Sequence, residues 1–96
     1  MSGIILVRPE AEWDLAAARR WYEEKRAGLG DEFVDEFAAA MRALEQSPDR
    51  ERLYYRKFQR VIFRRFPFKL FYQVIGGRVV VFRVLHAKQD HPPKVP

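Results

Sequence analysis

Ninety-six residues with 48% hydrophobic and 15% aromatic content suffice for one folded core and are too apolar for a disordered chain. Cysteine is absent, which excludes disulfide staples and thiolate metal sites. The net charge of +5 hides an asymmetry: residues 1–47 carry 6 basic and 10 acidic side chains (−4), residues 48–96 carry 12 and 3 (+9). A half-chain that basic points to an anionic or macromolecular partner.

No apolar run approaches the roughly 20 residues of a membrane span, and Ile4–Val7 is too short for a signal-peptide core. The expectation is a single cytoplasmic domain over residues 1–96, with no membrane partner. Ile4–Val7 reads as a short strand. Pro9 then opens a helix, with Glu10, Glu12 and Asp14 at its positive end. Ala11, Leu15, Ala18 and Tyr22 form its inner face at helical spacing. Trp13 falls nearly opposite them, near Arg20, while Trp21 at the stripe's margin is expected to pack.

Ala27-Gly28-Leu29-Gly30 breaks the helix, and a second begins near Asp31-Glu32 with Phe33, Phe37, Ala40 and Leu44 as its stripe. Ser47-Pro48 ends it. Three strands follow, over Arg60–Phe66, Phe68–Ile75 and Arg78–His86, rich in Val, Ile, Phe and Tyr. Gly76-Gly77 closes the last two into a tight hairpin. Continuous pairing from that turn puts Phe68, Leu70, Tyr72 and Val74 on one face with Val79, Val81, Arg83 and Leu85. This face holds a single charge and should meet the helices. Residues 87–96, with three prolines, read as an extended tail. The fold class is α+β, in the order β-α-α-β-β-β, with an N-terminal helix hairpin packed on a small antiparallel sheet.

Most catalytic signatures are missing. No phosphate-binding glycine loop follows a strand, and Ser2 and Ser47 are the only serines. His86, His91 and Asp90 are too few for a metal site, so neither a metal nor a cofactor is expected. The basic run is the outstanding feature. Arg50, Arg52, Arg56, Lys57, Arg60, Arg64 and Arg65 alternate with Tyr54, Tyr55, Phe58 and Phe63, a composition suited to phosphate and base contacts. Cations gathered on the sheet face opposite the helices are expected to form the working surface.

Ala11, Asp14-Leu15, Trp21-Tyr22, Gly28-Leu29-Gly30 with Phe33, Pro48, Arg60, Phe66-Pro67-Phe68, Tyr72 and Val84-Leu85-His86 fall in an order that resembles the RelE/ParE toxin superfamily. The resemblance runs from Ile4 to about Pro92 and is closer to the ParE-like branch. It implies a toxin of a type II toxin–antitoxin system, held silent in a hetero-oligomer by a cognate antitoxin whose tail wraps helices and sheet. It also implies one of two targets, DNA gyrase in the ParE-like branch or ribosome-bound mRNA in the RelE-like one.

RNA cleavage by a ribose 2′-OH needs a base, a cation for the phosphorane and an acid for the leaving oxygen. Arg60, His86 and Lys88 are the candidates here. Gln89 stands where the family often has a second basic residue, and no Tyr, Trp or Phe follows Phe82. The depleted set favours gyrase inhibition over mRNA cleavage. Trp13, Arg20, Arg60, Arg64, Arg65 and Arg83 are the candidate antitoxin- or target-binding residues. An RNA-binding module without an antitoxin is the reading from another class.

Overall fold

The computed structural model of the chain describes residues 5–46, 53–55 and 58–88. The order is β1 (Ile5–Val7), α1 (Pro9–Lys25), α2 (Leu29–Gln46), β2 (Leu53–Tyr55), β3 (Phe58–Ile62), β4 (Phe68–Ile75) and β5 (Arg78–His86). The two helices pair with each other and cover one face of a five-stranded sheet ordered β1-β5-β4-β3-β2.

The helices begin and end for local reasons. Pro9 opens α1 with Glu10 and Glu12 in its first turn. The break to α2 is held by Glu23, whose carboxylate accepts from the Gly28 amide at 2.9 Å and the Gly30 amide at 3.0 Å. Gly28 sits at φ 88°, where a side chain is strained. At Gly30 a Cβ would lie 2.6 Å from the backbone oxygen of Arg19, so glycine is what lets the two helices approach this closely. The inner stripes are as expected: Ala11, Ala18 and Tyr22 of α1 and Phe33 and Leu44 of α2 are buried.

Phe33 is the hub of the core. Its ring centroid lies 5.0 to 5.6 Å from those of Tyr22, Phe63, Phe66 and Phe68, which joins both helices to the start of β4. Such aromatic contacts contribute beyond the area they bury.

The sheet departs from the expectation in three ways. First, it is mixed, since β1 runs parallel to β5 with Leu6 opposite Val80. Both helices and three strands separate β1 from β5 in the chain, so no tight turn joins them and the parallel direction is open. Second, β3 stops at Ile62 instead of reaching Phe66. The Arg64 and Arg65 amides turn away to the Glu36 carboxylate of α2, and Phe68 N donates to Phe66 O at 2.8 Å to close the bend. A short β2 precedes β3.

Third, a bulge breaks the β4–β5 register. Val79 to Val81 pair as continuous counting predicts, opposite Val74, Gln73 and Tyr72. Beyond them β5 gains one residue, and Phe71 faces Arg83. The gain exchanges Val84 and Leu85: Val84 joins the helix-side core, and Leu85 packs with Phe58 and Phe71 on the far side. Gly76 and Gly77 do form the expected hairpin turn, at φ 58° and 78°. Residues 1–4, 47–52, 56–57 and 89–96 lie outside the described residues, including Ile4 of the expected first strand, Arg50, Arg52, Arg56, Lys57 and all of the expected tail beyond Lys88.

Candidate functional site

Three carboxylates on the helices organise the basic half of the chain. Asp14 sits between the buried Ala11 and Ala18 on α1. It accepts from Arg83 Nε at 2.7 Å, Arg83 Nη2 at 2.9 Å and the Val84 amide at 3.0 Å. The bulge makes this possible by offering a guanidinium and an adjacent amide to one carboxylate. The hydrogen bond from Arg83 to Asp14 raises the arginine's already high pKa, so the guanidinium stays charged. On α2, Glu36 accepts from the Arg64 and Arg65 amides, and Glu32 pairs with Arg65 at 2.5 Å and Arg26 at 3.2 Å. Arg65 holds the Glu32 carboxyl below the ordinary carboxylate range, chiefly through that hydrogen bond.

The expected gathering of cations opposite the helices is therefore only partial. Strand alternation puts Arg60 on the far face with Phe58 and Ile62, since Gln59 and Val61 between them face the helices. Arg64 and Arg65 have left the strand for α2, Arg83 is clasped by α1, and Arg20 lies exposed on α1. The bulge and the early end of β3 scatter them.

Arg60 and His86 are likewise separated. His86 pairs with Phe68, packs edge-on against its ring at 5.2 Å, and lies on the helix side beside Tyr22 and Trp21. Its Nδ1 accepts from the Lys88 amide at 3.1 Å, so the neutral ring carries its proton on Nε2. Arg60 projects from the other face.

Two exposed large apolar side chains share one face of α1, and Trp13 is the most exposed among the described residues. Trp13 is 75% exposed, beside Pro9, Glu12 and Ala16. Trp21 is 54% exposed, contrary to the expectation that it packs. Tyr22 takes the inward position, which rotates Trp21 to the flank, under the Lys25 ammonium at 4.5 Å. Trp13, Ala17 and Trp21 are four residues apart and form one ridge on the helix. A groove of about 330 Å³ runs beside it, floored by Ala17, Ala18 and Tyr22 and walled by Trp21, Phe68 and His86.

Asp14, Glu36 and Trp21 were not singled out as site residues from the sequence. A signal for Asp14 existed: an acid on the inner stripe of a helix and a lone arginine on the facing strand are each costly alone and satisfied together.

A family model described as the ParE toxin of type II toxin–antitoxin systems matches residues 5–91. The chain belongs to the ParE toxin family. In fold, this ParE-family chain is similar to a chain of the chromosomal ParDE toxin–antitoxin system from P. aeruginosa, with TM-score 0.80 and 15% identity over 91% of this chain and 98% of that one. It is also similar to a chain of the RelBE2 toxin–antitoxin complex from Mycobacterium tuberculosis, with TM-score 0.64 and 18% identity over 90% and 99%. No curated protein matches the sequence. Among the described residues no helix is long and apolar enough to cross a membrane, and no three His, Asp or Glu side chains are placed to share a metal ion.

Proposed function

We propose that this ParE-family toxin acts in the cytoplasm on DNA gyrase, by protein–protein contact, and is silenced by a cognate antitoxin lying along the Trp13–Trp21 ridge. The observation that carries the reading is the separation of Arg60 from His86 by the thickness of the sheet. Cleaving a phosphodiester requires base, cation and acid around one phosphate. Groups on opposite faces do not meet there, which favours contact over catalysis. Two exposed tryptophans two helical turns apart are the kind of anchor that dominates protein interfaces.

The test pairs two assays on the purified chain. It is expected to inhibit supercoiling by gyrase while leaving ribosome-bound mRNA intact. Cleaved mRNA with unimpaired supercoiling overturns the reading. If cleavage is seen, loss of it in both Arg60→Ala and His86→Ala variants of unchanged melting temperature assigns those residues to it.

A further inference from the structure

We propose that the exposed face of α2 is a self-association surface, on which two copies of this chain pair about a two-fold axis. The inference is independent of the toxin's target. It starts from charges left over after the clasps are formed. Glu32, Glu36 and Asp31 of α2 are satisfied within the chain, by Arg65 and Arg26, by two loop amides, and by Arg19 at 2.7 Å. Asp35 and Arg42 are both exposed, and no hydrogen bond or ion pair joins either to another described residue.

Their spacing is the second observation. Asp35, Ala39 and Arg42 stand at i, i+4 and i+7, on one stripe of the helix, with the anion toward its start and the cation toward its end. Beside them the surface is alanine: Ala39, between the two, is exposed, and Ala43, one residue past Arg42, is half-buried. They border a shallow groove of about 500 Å³ whose other wall includes Ile62, 59% exposed.

A stripe with opposite charges at its ends and small residues at its centre complements itself when reversed. A two-fold axis near Ala39 sets the two α2 helices antiparallel and places each Asp35 against the other copy's Arg42. Every contact then occurs twice, as an isologous interface requires. Alanines at the crossing allow the axes to approach to about 8 Å, the near end of the range for packed helices. A parallel arrangement would set Asp35 against Asp35 and Arg42 against Arg42. The charge pattern therefore chooses both the partner and its direction.

Sedimentation velocity of the full chain over a range of concentrations tests this. The parent is expected to show a monomer–dimer equilibrium that weakens with salt. Asp35→Arg and Arg42→Asp should each dimerise about tenfold more weakly, because two attractive pairs become repulsive. An equimolar mixture of the two variants restores both pairs and should form a heterodimer, as should the double variant Asp35→Arg/Arg42→Asp with itself. Circular dichroism of each variant confirms the fold, both sites being solvent-exposed. A parent that stays monomeric, single variants that dimerise like the parent, or a mixture that fails to recover overturns the proposal. A monomeric parent whose Asp35→Arg variant binds antitoxin more weakly would assign the face to the antitoxin instead.

Discussion

Each helix grips the basic half of the chain with a carboxylate, and the two grips differ in kind. Asp14 of α1 is largely shielded, its side chain 14% exposed and that of Arg83 24%, and it takes three hydrogen bonds from a single bulge. Glu32 and Glu36 of α2 work at the surface: Arg65, paired with Glu32, is 60% exposed, and Glu36 takes loop amides. A shielded clasp is strong when whole and costly when one partner is lost, whereas an exposed one is screened by water. The first therefore sets how firmly α1 is seated on β5. The second shapes the β3–β4 turn with little effect on overall stability.

The comparison breaks most visibly at Asp14. Asp14→Ala leaves a half-buried guanidinium and an amide without their acceptor and should cost about 2–3 kcal/mol in urea denaturation. Adding Arg83→Met to it should recover part of that loss, because the uncompensated charge goes with the arginine. Next comes the helix junction, which both grips rely on. Gly30→Ala forces a Cβ against the Arg19 carbonyl and should cost about 2 kcal/mol, read as a lowered denaturation midpoint.

On the exposed side, Glu36→Gln keeps a weaker acceptor for the Arg64 and Arg65 amides and should cost about 1 kcal/mol or less. The Glu32 contribution is visible as pH dependence. Its folded carboxyl lies below the ordinary value of 4.5, so its stabilisation is complete above that pH. It is lost as pH falls through the lower folded value. Arg65→Leu should flatten this acid limb of the stability curve, and an unchanged limb refutes the assignment. Smallest in stability is Trp13→Ala, within about 0.5 kcal/mol for so exposed a side chain. Affinity for the antitoxin should nonetheless fall at least tenfold, measured by calorimetry.

The elements were legible wherever local chemistry decides them. Pro9, the break at Gly28, the stripe from Phe33 to Leu44 and the Gly76-Gly77 hairpin all announce themselves by spacing or turn residues, and each stands as expected except that α2 begins at Leu29, two residues before the expected Asp31. The faces of β5 were legible only as far as Val81. A bulge is one residue with no signature of its own, and it reverses every assignment beyond it. The candidate site was readable as a set of residue types but not as an arrangement. Arg60, Arg64, Arg65 and Arg83 look alike along the chain, yet Arg83 is tied to α1, Arg64 and Arg65 turn to α2, and Arg60 lies on the sheet's far face.

From its residues alone, this chain announces a helix hairpin, a β-meander and the order that ties it to ParE-like toxins, because periodicity, turn chemistry and motif spacing are local properties. Which cations are consumed by the fold, which tryptophans stay in water and which way β1 runs were decided only in three dimensions. Those outcomes depend on where distant carboxylates meet a one-residue bulge and an early strand end, and contacts between residues 14 and 83 or 36 and 64 leave no trace in local spacing.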